Sequence, residues 1–340
     1  MSQHNPASAA PLSRRTLLAG AAMGMGLGCM LPAAAQAQAQ AQAQTVNRII
    51  VPFPAGGPAD FMGRLLAEKL KDELGRTVMI DNRPGAGTRL AAEVLKNAPA
   101  DGATVLLAPV DPMFIGPAIY ANMRFNPATD FKPITDVTGV QFGIAVSAAS
   151  PIKTLAQFVQ TAKANPDHGS IGITTVGSLL HFLAMDFVAV SRSGSTLVPY
   201  RGGAPMVTEL LGGQVSSGMD ATTTLTEYHR AGKLRVLAVA GDKRADSLPD
   251  VPTFAEAGYP TLVASSRYVL YAHANMAPAT IAQWNQAVRK VLAMPDVRDK
   301  LGRVGYDLLP GGSTEEVVRY TDALAARWLP IIKASGYKGD

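Results

Sequence analysis

Four glycine-rich connections hold most of the residues that could contact a ligand. Each follows a predicted strand and precedes a predicted helix, and they span residues 52–60, 82–88, 174–178 and 200–205. Glycine allows a ligand to approach the main chain closely, and the free N–H groups of a helix's first turn attract anions. Since open α/β sheets bind ligands at the carboxyl ends of their strands, the four connections together predict a cleft for a small carboxylate. A plain tight turn is the alternative for any one of them.

Three acidic side chains and one histidine are further candidates for ligand contact, and each has more than one interpretation. Asp60 is placed to be a charge or cap at a helix start rather than a general base. Asp220 and Asp111 follow predicted strands, where a carboxylate either accepts a hydrogen bond from a ligand or caps the next helix. His181 lies one helical turn after Ser178, so its ring either faces the cleft or stabilises the helix.

The sequence signatures of common enzyme sites are missing. The chain has no G-x-x-x-x-G-K-[ST], G-x-S-x-G or H-E-x-x-H, and after residue 44 no G-x-G-x-x-G follows a predicted strand. The histidines after residue 44 are singly placed and no cysteine occurs there, so neither a metal site nor a cofactor is expected. The enzyme alternative is a secreted hydrolase of a small ester or acid, with Ser178 as nucleophile and His181 as base. That pair, on one helix, has no evident orienting acid.

The length of the chain indicates two domains, and its composition is that of an ordinary globular protein. The chain has 340 residues, of which 47% are hydrophobic and only 17% charged, which excludes disorder for most of it. Its 31 Lys+Arg exceed its 26 Asp+Glu, but no run of basic residues is longer than two. A phosphate-tracking stripe is therefore not evident, and nucleic acid is not expected as a partner.

Residues 1–44 read as a removable export signal followed by a spacer. Ser13 opens a Ser-Arg-Arg-x-Leu-Leu core that resembles a twin-arginine signal, and an A-x-A cleavage site follows Pro32. The apolar run at 17–31 is short for a membrane span, which needs about 20 residues, so a retained anchor is the weaker alternative. Cys29 has no leucine three positions before it, which a lipoprotein signal usually has, so a lipid anchor at Cys29 is a weak alternative. Cleavage near Thr45 would leave a periplasmic chain without cysteine, of formal net charge +3 instead of +5.

After residue 45, strand and helix patterns alternate, which predicts an α/β protein with mainly parallel sheets flanked by helices. Two proline-marked stretches, 126–136 and 246–260, are the expected crossings between domains. The first domain is then discontinuous, with residues 45–144 and 266–340, and the second comprises residues 145–265.

Seven segments of the chain resemble a known receptor family, in order and at the family's spacing. Residues 51–60 (VPFPAGGPAD), 81–87 and 99–102 look like the N-terminal half of the Bug family of extracytoplasmic solute receptors, and 198–205, 210–215, 231–235 and 248–253 look like its second half. These receptors are the substrate-binding proteins of tripartite tricarboxylate transporters. The resemblance implies a two-lobed, Venus-flytrap protein that closes on a small organic carboxylate, a di- or tricarboxylate or an aromatic acid. It would act as a monomer and deliver the acid to membrane permease subunits.

The resemblance also implies a set of ligand contacts, in which two loops and bridging waters hold the carboxylate without a salt bridge. With the strand-end residues Asp111 and Thr175 added, the predicted ligand-binding residues are Phe53, Ala55, Gly56, Gly57, Asp60, Gly85, Ala86, Gly87, Thr88, Asp111, Thr175, Ser178, His181, Tyr200 and Asp220.

The chain departs from the family where branched or bulky side chains replace small polar ones. Thr174, Thr175 and Val176 stand where the family has a Ser/Gly/Asn-rich loop, and Met113 and Phe114 follow Asp111. These side chains predict a ligand with an apolar or aromatic body and count against a citrate-like one.

Overall fold

The computed structural model describes residues 46–339, so the predicted export signal and spacer lie outside the described residues. The strands are β1 (Asn47–Val51), β2 (Val78–Asn82), β3 (Thr104–Pro109), β4 (Phe131–Ser147), β5 (Ile171–Ile173), β6 (Leu197–Pro199), β7 (Ser217–Ala221), β8 (Leu234–Val239), β9 (Ser265–His273) and β10 (Asp307–Leu308). The α-helices are α1 (Pro58–Leu74), α2 (Arg89–Lys96), α3 (Pro112–Ile119), α4 (Pro127–Asp130), α5 (Leu155–Ala164), α6 (Leu179–Ser191), α7 (Gly203–Leu211), α8 (Thr222–Arg230), α9 (Pro278–Ala293), α10 (Pro295–Val304) and α11 (Thr314–Ala334).

Two sheets share strand β4. The first has the order β2-β1-β3-β9-β4, with β10 paired to β4, and the second contains β4, β8, β7, β5 and β6. Residues 131–141 of β4 pair with β9, and residues 142–145 pair with β7. One strand of 17 residues therefore carries the chain from the first sheet into the second.

This crossing differs from the predicted one. The stretch 126–136 is not a linker, because it forms the short helix α4 and the beginning of β4. Pro127 occupies the first turn of α4, where its missing N–H costs nothing, and the side chain of Asn126 caps that helix. Pro133 lies at a register shift between β4 and β9, where a strand tolerates proline.

The α/β class is confirmed, with mixed rather than mainly parallel sheets. The pairs β1–β2, β1–β3, β5–β6 and β5–β7 are parallel, as crossover helices require. The long strands β4 and β9 instead run antiparallel to their neighbours, β8 and β10 among them. The predicted domain bounds stay a prediction.

Helices cover both faces of each sheet with separate apolar clusters. The last helix, α11, contributes to both sheets, because Val317 packs under the first and Trp328 and Ile332 pack into the largest cluster of the second. Gly75 ends α1 in the left-handed conformation, as its position predicts. Within residues 46–339 no helix is both long and apolar enough to span a membrane.

Candidate functional site

A cavity of about 930 Å³ lies where the strand ends of both sheets meet. Six helices begin at its wall, and the residue that precedes each helix lines the cavity: Gly57, Thr88, Asp111, Ser178, Gly202 and Ala221. Of these six, only Ser178 caps its own helix with its side chain. The start of α3 has no free amide in its first turn, because Pro112 lacks an N–H and the Met113 and Phe114 amides donate to the Val110 and Asp111 carbonyls. The starts of α1, α2, α7 and α8 present main-chain N–H groups without a side-chain cap.

Ten of the fifteen predicted ligand-binding residues line this cavity, and five do not. Those in the wall are Phe53, Ala55, Gly56, Gly57, Gly87, Thr88, Asp111, Thr175, Ser178 and Asp220. Those outside it are Asp60, Gly85, Ala86, His181 and Tyr200. Lining is a geometric fact, and ligand contact stays a prediction for each of the fifteen.

Asp60 supports the first glycine-rich loop from behind. Its Oδ2 accepts hydrogen bonds from the Gly56 amide at 2.9 Å and from Arg64 Nε at 2.8 Å. Burial by itself would raise the pKa of this carboxyl, but the bonds from Arg64 and Gly56 outweigh burial and lower the pKa. Asp60 is thus a charged anchor at the start of α1, and it fixes the main chain of a loop that lines the cavity.

His181 supports the loop before α6 in a similar way. Its Nδ1 accepts a hydrogen bond from the Gly177 amide at 3.2 Å, and its ring meets Tyr337 edge-on with 5.0 Å between centroids. Burial lowers the pKa of the imidazole, which favours the neutral form that this bond requires. The Ser178 hydroxyl donates to the Thr175 carbonyl at 2.7 Å, so serine and imidazole are not paired as nucleophile and base.

Tyr200 holds its loop to helix α7. Its hydroxyl donates to Glu209 at 2.7 Å, and burial together with the nearby Glu209 carboxylate raises the pKa of the phenol to about 12. The side chain is therefore a neutral donor at physiological pH. Like Asp60 and His181, it positions cavity-lining main chain without lining the cavity itself.

Asp220 lies in the wall at the end of β7. Its Oδ1 accepts hydrogen bonds from the Thr174 hydroxyl and from the Ala221 amide, both at 2.8 Å. A Cβ added at Gly203 would stand 2.7 Å from Asp220 Oδ2 and 2.7 Å from Thr224 Cγ2. Burial raises the pKa of Asp220 despite these bonds. The carboxyl thus faces a close approach of main chain that only glycine permits.

Asp111 joins parts of the structure that are distant in sequence. The Ser266 hydroxyl on β9 donates to its Oδ1 at 2.5 Å, and the Leu179 amide at the start of α6 donates to its Oδ2 at 3.4 Å. Burial raises the pKa of Asp111, and these two bonds oppose that effect only in part. The group connects the end of β3 with a helix that packs on the second sheet.

Replacing Asp111 with asparagine is expected to make the protein more stable at pH 8 and to change little near pH 4. The pKa of Asp111 is higher in the folded protein than in the unfolded chain, so the folded protein holds the proton more tightly. Proton binding therefore stabilises the fold at low pH, and this contribution to the free energy of unfolding is lost as pH rises through the folded-state pKa. Asparagine cannot ionise, so D111N avoids that loss. Melting temperatures between pH 4 and 8 measure it, with exposed Asp242→Asn as the control. A D111N curve parallel to that of the wild type would contradict the prediction.

Several residues that line the cavity were not among the predicted ligand-binding residues. They are Arg89, Tyr120, Thr223, Thr224, Ser266 and Tyr268. Arg89 directly follows a glycine-rich connection and could have been found by extending it by one residue. Tyr120 follows a helix that was not predicted, and Tyr268 lies on β9 without any local signal. Val176 and Met113 do line the cavity, whereas Phe114 packs against the apolar cluster of the second sheet.

Within residues 46–339, no group of three or more His, Cys, Asp or Glu side chains is placed to hold a metal ion. The α/β lobes around a cavity have the fold of periplasmic solute-binding proteins, as matched solved structures of that class show. The sequence model described as tripartite tricarboxylate transporter family receptor matches residues 62–337, and the chain belongs to that family. The resemblance to the Bug receptors is thereby confirmed.

The similar proteins cover nearly the whole described chain. BugT of Bordetella pertussis (strain Tohama I) is 30% identical over 293 residues, which are 86% of this chain and 89% of BugT. The structure of R. palustris Rpa4515 with adipate is 31% identical with a TM-score of 0.78, and covers 86% of this chain and 98% of its own. MatC (Rpa3494) from Rhodopseudomonas palustris with bound malate is 26% identical with a TM-score of 0.74, and the match covers 84% of this chain and 98% of MatC.

The chain is a solute-binding receptor and not an enzyme, so the hydrolase alternative is wrong.

Proposed function

We propose that this receptor captures a small organic carboxylate, a di- or tricarboxylate or an aromatic acid, for a tripartite tricarboxylate transporter. The observation that carries the proposal is the set of four helix starts, those of α1, α2, α7 and α8, which have no side-chain cap and surround one cavity. A charge at a helix N-terminus gains about 0.3–1 kcal/mol when exposed and up to about 2 kcal/mol when partly buried. Several such ends around one anion supply a substantial part of its binding energy.

The relatives support the same class of ligand. One structural neighbour carries adipate and another carries malate, and both ligands are small dicarboxylates. The Val176 and Met113 side chains in the wall favour a ligand whose body between or beside its acidic groups is apolar. A citrate-like ligand, with polar groups along its whole length, suits this wall less well.

The proposed receptor works in the periplasm and binds its ligand by closure of two lobes. Residues 1–44 direct export to the periplasm and are removed there, and the remaining chain works as a monomer without a cofactor. The two lobes, with residues 45–144 and 266–340 in one and 145–265 in the other, close over the ligand by a hinge motion. Closure excludes bulk water and strengthens the bonds between main-chain amides and the carboxylate. The closed receptor then docks on the permease subunits in the membrane.

A screen of the purified protein against di-, tri- and aromatic carboxylates tests the proposal. An acid at 100 times its dissociation constant is expected to add about 2.7 kcal/mol to the free energy of unfolding, which raises the melting temperature measurably. Nuclear magnetic resonance of the same samples should show the acid unchanged after prolonged incubation. A protein that no organic acid stabilises, or that consumes the acid, would rule the proposal out.

A further inference from the structure

Arg89 stands out among the cavity-lining cations because it is held in place while both of its terminal nitrogens remain without a hydrogen bond or an ion pair in the described residues. Its Nε donates to the Ala86 carbonyl at 2.9 Å, and its guanidinium carbon lies 3.6 Å from the centroid of the Tyr120 ring. It forms no ion pair within residues 46–339. By contrast, Arg303 pairs with Asp299, and Arg230 uses both terminal nitrogens on main-chain carbonyls. Arg201 also lines the cavity, but within residues 46–339 no hydrogen bond or ion pair holds its side chain in place.

The two contacts of Arg89 leave its terminal nitrogens available. Both nitrogens are without a hydrogen bond in the described part of the chain, since the single bond of this side chain uses Nε. A guanidinium presents its donors as a planar fork that matches the two oxygens of a carboxylate. Stacking on Tyr120 orients the plane before a ligand arrives, which reduces the entropy lost on binding.

Arg89 and Asp220 belong to different walls of the cavity. Arg89 and Tyr120 lie at the start of α2 and the end of α3, whereas Asp220 and Gly203 lie at the end of β7 and the start of α7. The Tyr120 hydroxyl also lies close to two glycine-rich loops, because it would be 3.5 Å from a Cβ at Gly87 and 3.6 Å from one at Gly177, in the loop before α6. A ligand held by the helix starts beside Asp220 would extend a second acidic group toward Arg89.

We propose that Arg89 determines specificity by pairing with a second carboxylate of the ligand, so that this receptor selects a dicarboxylate over a monocarboxylate of the same length. The inference rests on the proposed function, because it assumes that a first carboxylate binds at the helix starts. The family resemblance implies that the first carboxylate binds without a salt bridge. The inference adds a salt bridge from Arg89 to the second carboxylate. Ala92 and Met113, which also line this wall, contact the methylene groups between the two acids.

Matched pairs of acids test the role of Arg89 by titration calorimetry on the purified protein. Adipate and hexanoate have the same number of carbons and differ in one carboxylate, as do succinate and butyrate, and suberate and octanoate. The wild type is expected to bind at least one diacid about tenfold or more tightly than its monoacid partner. Arg89→Gln should weaken that diacid by about tenfold or more and leave the monoacid within about twofold. Arg89→Lys should fall between, since it keeps the charge and loses the fork.

The control is Arg83→Gln, which removes an exposed guanidinium outside the cavity wall and should leave every affinity unchanged. Equal binding of diacids and monoacids, or equal losses of both in Arg89→Gln, would overturn the role of Arg89 and leave the receptor function standing. Binding of neither series would overturn the role of Arg89, whereas the receptor function would fall only if no di-, tri- or aromatic carboxylate in the screen stabilised the protein. Melting temperatures of all variants within about 2 °C of the wild type show that the fold is kept.

Discussion

Replacing Gly203 with alanine is expected to weaken the binding of the most stabilising acid in the screen by about a hundredfold. The new Cβ would stand 2.7 Å from both Asp220 Oδ2 and Thr224 Cγ2, closer than such atoms approach in folded proteins. One of them must shift, or the start of α7 must move away from β7. A shift of Asp220 disturbs its hydrogen bonds with Thr174 and Ala221, which lie before α6 and α8, and a shift of α7 displaces the main-chain N–H groups at its start. Misplaced donors lose most of the strength of a charge-assisted hydrogen bond. Titration calorimetry with the wild type measures the loss.

The matched control lies at the other end of the same helix. Gly212 follows the last turn of α7, where an added Cβ would find its nearest neighbour at an ordinary 3.5 Å. Gly212→Ala is therefore expected to bind like the wild type. If Gly203→Ala kept the wild-type affinity, the start of α7 would have no part in holding the ligand.

The residues that line the cavity were predictable to the extent that they lie in short strand–loop–helix units. Gly57 and Thr88 follow strands whose pattern is visible in the sequence, and Asp220 lies at the end of another. The rule that strand ends meet at one edge brings the three together. The same local reasoning placed Asp60 and His181 beside the site. It did not show that these two face the loops and not the cavity, because that depends on side-chain orientation.

What the sequence did not predict depends on contacts between distant residues. The pattern of β4 shows that its residues are buried but not that one half pairs with β9 and the other with β7. Helix α3 contains Gly116 and Pro117, two residues that disfavour helices, and it is kept by the burial of Ile115 and Ile119 in the cluster of the second sheet. Because α3 was not predicted, the position of Tyr120 at its end and the contact of Tyr120 with Arg89 could not be predicted either.

The polar side chains of the site fall into two sets with different roles. Asp60, His181 and Tyr200 each bond a loop or a neighbouring helix from outside the cavity, and thereby fix the loops that line it. Asp111 and Asp220 lie in the wall itself. A substitution in the first set alters binding through the loop it holds, whereas one in the second set alters the surface that the ligand meets.

Replacing Asp220 with alanine is expected to weaken ligand binding by about a hundredfold while the protein still folds. The change leaves the Thr174 hydroxyl and the Ala221 amide without their acceptor in a buried wall, and each orphaned donor costs about 1–3 kcal/mol. Thr174 begins the loop before α6, and Ala221 precedes α8, so two of the helix starts lose a common anchor. Calorimetry measures the affinity, and a cooperative thermal transition shows that the fold persists.

Asp220→Asn separates the shape of the side chain from its charge. The amide oxygen of asparagine can accept both bonds, so this variant is expected to bind within about tenfold of the wild type, with a melting temperature above that of Asp220→Ala. Wild-type affinity in Asp220→Ala would reduce the carboxylate to a cap for α8. Equal losses in both variants would instead mean that the ionised carboxylate itself accepts a hydrogen bond from a ligand hydroxyl, amine or bridging water, since asparagine keeps the shape and not the charge.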